Sequence, residues 1–193
     1  MIYLVHMLRP DFTQIPELTT PRLLLRALVG SDAPAIFQLR ANPAVMRFIP
    51  KPLATHKDEA LKMIRDLHYA ALQGDSILWG ITVKGSEKVM GYIGFWRILK
   101  EHYRAEIGYA LHPDLWGQGL MTEAVTATLD YGFHKMGLHS VEAGVKPDNT
   151  ASIQVLERNG FVKEAHFKQN YYSNGVFVDS MVYSLLTPLK DVL

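Results

Sequence analysis

Two glycines, Gly117 and Gly119, stand at the junction between an alternating apolar run and an amphipathic helical pattern. The first turn of a helix leaves backbone N–H groups without carbonyl partners, and glycines place no side chain in front of them. Such a helix start can bind an anion, and a phosphate or pyrophosphate group is the natural ligand. A Gly-x-Gly sequence is more often an ordinary tight turn than a ligand site. The flanking sequence must therefore distinguish an anion site from a simple turn.

Several other kinds of site are absent from the sequence. There is no G-x-x-x-x-G-K-[ST] phosphate loop, and Thr122 stands where a G-x-G-x-x-G dinucleotide fingerprint needs its third glycine. The chain has no cysteine, which excludes thiolate metal sites, disulfides and a cysteine nucleophile. Its 8 histidines lack helical ligand spacing, and no G-x-S-x-G elbow occurs. We therefore expect no metal site and no serine-hydrolase chemistry.

Length and composition predict a single domain, residues 1–193, because 193 residues that are 48% hydrophobic can bury a substantial core. A formal net charge of +1 gives no general attraction to polyanions, so we expect neither a nucleic-acid nor a membrane partner. Residues 1–8 are apolar but too short for a membrane span, and they lack the basic start and cleavage site of a signal peptide. We expect a cytoplasmic protein in which this stretch adds a strand or an oligomer contact.

Hydrophobic periodicity predicts the elements that position the glycine turn. They are strands at 20–28, 77–83, 89–99, 104–112, 140–145, 161–168 and 176–186, and helices at 33–41, 57–73, 121–136 and 151–158. Ser31 or Asp32 is expected to cap the first helix, and Pro43 to lie in a loop. The second helix carries an apolar stripe that ends at Leu72, and a tyrosine-rich loop is expected between the last two strands. A strand–helix–strand unit within this order predicts an α+β fold with a mixed, mostly antiparallel, twisted sheet flanked by helices.

Three ordered motifs resemble the GNAT acetyltransferases, and in particular the branch named for the ribosomal-protein N-terminal acetyltransferases, the Rim type. They are Glu106-Ile-Gly-Tyr-Ala-Leu-His-Pro, Trp116-Gly-Gln-Gly-Leu-Met-Thr-Glu-Ala124 and Asn149-Thr-Ala-Ser-Ile-Gln-Val-Leu-Glu-Arg-Asn-Gly-Phe161. The resemblance covers residues 20–186 and leaves 1–19 as an N-terminal extension. Trp116 and Met121 depart from the general pattern [RQ]-x-x-G-x-[GA], although an aromatic first position is usual in the Rim-type branch.

The resemblance implies a GNAT-like fold and acetyl-CoA as cosubstrate. It implies that the turn after Trp116 binds the pyrophosphate through the backbone N–H groups of Gly117, Gln118, Gly119, Leu120, Met121 and Thr122. Amides of the preceding strand, including Tyr109, Ala110 and Leu111, would stabilise the oxyanion of the reacting thioester.

Two residues at the start of the last helix have two readings each. Asn149 is of a type that caps helices, and by resemblance it also contacts the pantetheine or acetyl end of the cosubstrate. Ser152 is either an ordinary first-turn serine or, in the N-x-x-S pattern of the family, the group that protonates the leaving thiolate.

The acceptor amine must lose its proton before it attacks the thioester. At pH 7 this costs about 1.4 kcal/mol for an α-amine with a pKa near 8 and about 4.6 kcal/mol for a lysine. Glu106 is the best acidic candidate for a base, or else a surface glutamate paired with Arg104 or Lys100. Tyr171 and Tyr172 are alternative acids for the thiolate, although aromatic packing is the commoner use of such side chains.

No residue stands out as an indispensable base, which favours a weakly basic acceptor. We therefore expect an N-acetyltransferase, a monomer or a homodimer, that acts on a protein N-terminus of the ribosomal-protein type. Polyamine, amino-acid or antibiotic amines remain alternative acceptors, and a non-catalytic CoA-binding module is the alternative of a different class.

Overall fold

The computed structural model describes residues 7–173 and 175–189. Within these residues the strands and helices are, in chain order, β1 (Leu18–Thr19), β2 (Leu23–Arg26), α1 (Ala33–Ala41), α2 (Pro43–Met46), α3 (Lys57–Leu72), β3 (Ile77–Val83), β4 (Val89–Leu99), β5 (Arg104–Leu111), α4 (Leu120–His134), β6 (Ser140–Val145), α5 (Thr150–Arg158), β7 (Val162–Ser173) and β8 (Val176–Leu186). The extra strand or oligomer contact expected of residues 1–8 falls mostly outside the described residues.

The strands form one sheet in the order β1-β2-β3-β4-β5-β6-β8-β7. Neighbouring strands are antiparallel except for β5 and β6, which are parallel. A parallel pair needs a crossover connection, and α4 supplies it between these two strands. The mixed, mostly antiparallel sheet predicted from the sequence is confirmed.

The sheet has an apolar core on each face because successive strand residues point to opposite sides. One core packs the sheet against α4 and α5, with fully buried side chains that include Phe95 and Leu156. The other packs it against α1, α2 and α3, and includes Ile36, Ile64 and Tyr92. Residue parity therefore tells which face of a strand each side chain occupies.

The strands β5 and β6 pair over three residue pairs only, from Arg104 with Ser140 to Glu106 with Glu142. Beyond that point β5 continues to Leu111 bonded to β4, and β6 continues to Val145 bonded to β8. The two strands thus part toward their carboxyl ends. We call the opening between residues 107–111 and 143–145 the strand gap.

Three local predictions were wrong for identifiable reasons. Asp32 does not cap α1 through its side chain, because its carboxylate binds the Arg26 guanidinium and the Val29 amide instead. Pro43 begins the short helix α2, where a residue without an N–H is tolerated, and Asn42 caps it. Leu72 is 60% exposed, since it falls at the end of α3 beyond the buried stripe.

The prediction of a tyrosine-rich loop was also wrong, because Tyr171 and Tyr172 lie within β7. The strand is interrupted by a bulge at residues 168–170, where Gln169 adopts a positive φ of 49°. Asp179 accepts a hydrogen bond from the Gln169 amide at 2.9 Å and thereby holds this bulge. A local bulge lets the strand continue where alternation in the sequence is lost.

None of the helices in the described ranges is both long and apolar enough to cross a lipid bilayer.

Candidate active site

A short loop with a 3-10 turn at Pro113–Leu115 follows β5, and the glycine turn then leads into α4. Gly117 and Gly119 have φ values of 71° and 73°, a region that residues with a Cβ avoid. A Cβ at Gly117 would meet no atom within 4 Å, so the turn borders open space. Among the described residues, no acceptor is found for the backbone N–H groups of residues 117–122. The predicted set of free amides at a helix start is therefore present.

Side chains of the loop itself attach the turn to the end of β5. The Trp116 indole Nε1–H donates to the Leu111 carbonyl at 2.8 Å, and Gln118 Nε2 donates to the Asp114 carbonyl at 2.9 Å. Half of the Trp116 side chain stays exposed. The aromatic residue that departs from the general motif thus has a structural use, since an indole can span from the turn back to the strand.

A second attachment of the glycine turn comes from Arg22, which lies 96 residues before Gln118 in the chain. Arg22 donates from its Nη1 to the Gln118 carbonyl at 2.9 Å and from its Nε to Glu123 Oε2 at 2.6 Å. The other oxygen of Glu123 accepts from the Arg22 amide at 2.8 Å and from the Thr20 hydroxyl. One carboxylate in the first turn of α4 therefore joins the start of β2 to the glycine turn.

Burial by itself would raise the pKa of Glu123, but the hydrogen bonds from Thr20 and Arg22 outweigh it and hold the pKa below its usual value of 4.5. The sequence alone predicts no separate role for Arg22 or Glu123. About one hundred residues separate them, so no local pattern could have joined them.

On the other side of the strand gap, Asn149 caps α5 as predicted. Its side-chain oxygen accepts from the Ser152 amide at 3.3 Å. The Ser152 hydroxyl lies 2.9 Å from the hydroxyl of Tyr109 on β5. Because Ser152 follows β6 and Tyr109 belongs to β5, this pair bridges the two elements that the gap separates.

Burial raises the pKa of Tyr109 to about 12, although the hydrogen bond to Ser152 opposes the rise. The phenol is therefore protonated throughout the neutral range. The sequence predicts a role for the backbone amide of Tyr109 and none for its hydroxyl. The sequence could have indicated the position of this hydroxyl only through the alternation of side chains along β5, which places Tyr109 on the face of α4 and α5.

Glu106 lies three residues before Tyr109 and so faces the opposite side of the sheet. Its carboxylate is 3.3 Å from Arg97 Nη2, and Arg97 also contacts Glu142 at 3.1 Å. The expected partners of Glu106 were wrong, because Arg104 pairs with Glu142 and Lys100 pairs with Asp75. The partner Arg97 comes from the neighbouring strand β4, which the sequence order alone did not place beside Glu106.

Trp96 flanks Glu106 on this same face. It is the extra residue of a bulge in β4, where Phe95 pairs with Ile107 and Arg97 pairs with Glu106. Its indole ring covers Gly108 and leaves no room there for a Cβ. The glycine in β5 is thus required by an aromatic side chain, and 38% of that side chain remains exposed next to the gap.

The structure shows no hydrogen bond from Tyr171, or from the other tyrosine candidate Tyr172, to the gap residues within the described part of the chain. Tyr171 is 44% exposed on β7 and pairs in register with Val178. It makes no hydrogen bond to Ser152, whose hydroxyl partner within the described residues is Tyr109.

Comparison with known proteins assigns the chain to a family. The model of the acetyltransferase (GNAT) domain matches residues 22–162 of this chain. The chain therefore belongs to the GNAT family, is an N-acetyltransferase, and the fold predicted from its three motifs is confirmed.

Two curated relatives match nearly the whole chain. The uncharacterized N-acetyltransferase YoaA of Bacillus subtilis is 36% identical over 173 residues, which cover 90% of this chain and 98% of that protein. The [ribosomal protein uS5]-alanine N-acetyltransferase of Escherichia coli is 29% identical over 183 residues, or 89% and 91% of the two chains.

Among solved structures, RimL, a ribosomal L7/L12 α-N-protein acetyltransferase in complex with coenzyme A, superposes with a TM-score of 0.83. It is 26% identical, and the match covers 89% of this chain and 98% of that one. The resemblance to Rim-type enzymes is thus confirmed at the level of sequence and of fold.

The depressed pKa of Glu123 predicts a specific loss of stability in acid. A carboxylate whose pKa is lower in the folded chain contributes stability above its unfolded pKa, and this contribution disappears as the pH falls through the folded value. The urea midpoint of Glu123→Gln should therefore lie below that of the wild type at pH 7, and the difference should shrink below about pH 4.5. Equal differences at pH 7 and pH 3.5 would contradict this assignment.

Proposed function

We propose that the protein transfers an acetyl group from acetyl-CoA to a primary amine, and that the natural acceptor is a protein N-terminal α-amine of the ribosomal-protein type. The single observation that carries the proposal is that the strand gap and the free amides of the glycine turn lie at the same carboxyl end of β5. A thioester held in the gap can thus have its diphosphate at the helix start.

The donor side of the site suits acetyl-CoA by its chemistry. The turn offers backbone N–H groups without acceptors and open space at Gly117. Helix starts of this kind bind anions through several N–H bonds, and the helix dipole adds about 0.3–1 kcal/mol at exposed positions. In our proposal residues 117–122 bind the diphosphate, Trp116 holds the turn, and Asn149 contacts the pantetheine arm.

Amides of β5 are the proposed oxyanion donors. The residues 107–111 lack a partner strand on the side of the gap, because the register with β6 ends at Glu106. Backbone N–H groups that already point into a gap need no rearrangement to stabilise a developing negative charge. The His112 amide donates to the Met90 carbonyl, so the Ala110 amide, two residues earlier in the same antiparallel register, also faces β4. The alternating amides of Tyr109 and Leu111 face the gap, and we assign the oxyanion role to these two.

Ser152 is the proposed acid for the leaving thiolate. Tyr109 keeps its proton at neutral pH, so its O–H can donate to the Ser152 oxygen at 2.9 Å. The Ser152 hydrogen is then free to point toward the sulfur. Tyr171 is 44% exposed and makes no hydrogen bond to Ser152, so we place it second to Ser152 for this step.

Glu106 belongs to the acceptor side of the gap in this proposal. Its carboxylate is paired with Arg97 at 3.3 Å, and we propose that it accepts the proton of an amine that needs little help to lose it. An α-amine costs about 1.4 kcal/mol to deprotonate at pH 7, against about 4.6 kcal/mol for a lysine. Amine and thioester would meet from opposite faces of the sheet, which allows direct attack without an acetylated enzyme intermediate.

The ribosomal-protein acceptor is supported by relatives. Proteins whose names state an acetylated ribosomal protein include the uS5-alanine enzyme and RimL, at 29% and 26% identity. The other relative described above has no named acceptor. A single domain, a cytoplasmic location and a monomeric or homodimeric state remain predictions.

A screen of amine acceptors with thiol release as readout tests the function. We expect peptides carrying ribosomal-protein N-termini to be acetylated faster than the same peptides with a blocked α-amine and a free lysine. Polyamines and amino-acid amines are included as competitors. Faster turnover of a small amine than of every peptide would overturn the proposed acceptor, and binding of CoA without any turnover would overturn the activity.

Replacement of Ser152 by alanine should lower kcat and leave the KM for acetyl-CoA within about twofold. Loss of a positioned acid costs about a hundredfold or more in rate. Tyr109→Phe should lower kcat less, about tenfold, since the serine hydroxyl remains. Ser180→Ala is the matched control, because that serine bonds Asn170 in the β7 bulge. Similar kcat values for Ser152→Ala and Ser180→Ala would exclude the proposed acid.

Replacement of Gly119 by glutamate should abolish CoA binding without unfolding the chain. The new side chain starts beside Arg22, with its Cβ 3.7 Å from Nη2, so it disturbs the contact of Arg22 with the turn and adds a like charge next to the proposed diphosphate site. Gly85→Glu controls for backbone strain, since Gly85 has a φ of 85°, open surroundings and a place in the β3–β4 turn. Calorimetry with CoA should show binding for Gly85→Glu and none for Gly119→Glu. Measurable affinity in both variants would remove the diphosphate from this turn.

A further inference from the structure

We propose that Arg22 is a positioning residue for the donor, because it sets the direction of the peptide bond between Gln118 and Gly119. The inference rests on the proposed use of acetyl-CoA. It concerns the binding of the diphosphate and does not depend on which amine is acetylated.

The guanidinium of Arg22 contacts two different parts of the anion-binding region at once. Its Nη1 donates to the Gln118 carbonyl at 2.9 Å, and its Nε donates to Glu123 at 2.6 Å. The planar fork of arginine can satisfy both acceptors from one rigid group. Arg22 itself is held by its own amide, which donates to the same carboxylate at 2.8 Å.

This contact fixes the orientation of the Gln118–Gly119 peptide, because a peptide bond is planar. In a planar trans peptide, the carbonyl and the following N–H point in opposite directions. Since the Gln118 carbonyl points to Arg22, the Gly119 N–H points away from it. The guanidinium also flanks the turn on that side, because Nη2 lies 3.7 Å from the place a Gly119 Cβ would take. The far side of the turn is then left for the diphosphate.

A contact from outside the loop is needed to orient this peptide, because Trp116 and Gln118 hold the loop through their side chains and not through the Gln118–Gly119 peptide. Gly117 and Gly119 both have positive φ, and glycine populates both signs of φ at similar cost. The Gln118–Gly119 peptide can flip by rotation of ψ at Gln118 and of φ at Gly119. A flipped Gln118–Gly119 peptide would present a carbonyl oxygen to the diphosphate instead of an N–H. Holding the peptide before binding lowers the cost of binding.

The region also contains a matched second arginine. Arg26 on β2 donates to both oxygens of Asp32 at 2.8 and 2.9 Å and to the Glu87 carbonyl at 2.9 Å. Like Arg22, it joins a carboxylate to the backbone, and its Nη1 also donates to the Ala27 carbonyl at 2.9 Å. Neither of its carbonyl partners belongs to the glycine turn, so Arg26 controls for the loss of an equivalent ion pair.

The test measures CoA affinity by calorimetry for Arg22→Gln, Arg22→Lys and Arg26→Gln. We expect Arg22→Gln to raise the Kd for CoA about tenfold, or about 1.4 kcal/mol. Arg22→Lys should behave similarly, since an ammonium group keeps the charge but has no fork to span both acceptors. Arg26→Gln should leave the Kd within about twofold. In turnover, the KM for acetyl-CoA should rise in the Arg22 variants while the KM for the acceptor stays constant.

Three results would overturn the inference. They are an unchanged Kd in Arg22→Gln, wild-type affinity in Arg22→Lys, which would reduce the role to charge alone, and an equal rise in Arg22→Gln and Arg26→Gln. Circular dichroism and thermal melting identify variants that fail to fold, and Arg22→Lys then carries the test. Failure of wild-type turnover would count against the proposed function but not against this inference, because CoA binding is measured directly.

Discussion

The parting of β5 and β6 is the constraint on which the rest of the site depends. Both strands have a complete partner on their outer side, β4 for β5 and β8 for β6, so the sheet can open between them without losing either. The opening leaves strand amides without partners in a region where a sheet would otherwise be closed. Backbone groups normally find partners, and a ligand is one way to supply them.

Parity along β5 then divides the site between the two faces of the sheet. Glu106 and Tyr109 are three residues apart and therefore on opposite sides. Tyr109 meets Ser152 on the side of α4 and α5, whereas Glu106 meets Arg97 beside the indole of Trp96. A single short strand thus provides a polar group to each face of the gap. The proposed donor and acceptor regions therefore lie on opposite faces of the sheet, and residues of the same strand, β5, contribute to both.

The glycine turn has a flexible backbone that side chains from other parts of the chain hold in place. Glycines allow the positive φ values that aim the helix start, but they also make the turn easy to deform. Trp116, Arg22 and Glu123 restrain it through hydrogen bonds to the end of β5 and the start of β2. Surface ion pairs usually contribute little to stability. The Arg22–Glu123 pair also orients the glycine turn, a role that is separate from its contribution to the free energy of unfolding.

The sequence by itself determined the order of the elements, the mixed sheet and the place of the glycine turn, because periodicity and glycine chemistry act over a few residues. It also determined that Asn149 caps α5, a contact between neighbours in the chain. Only the tertiary structure decided which side chains meet across the gap. The pairing of Tyr109 with Ser152, of Glu106 with Arg97 and of Arg22 with Glu123 joins residues on different elements. Such contacts depend on strand register, on a bulge in β4 and on where two strands part, and these follow from the packing of the whole chain.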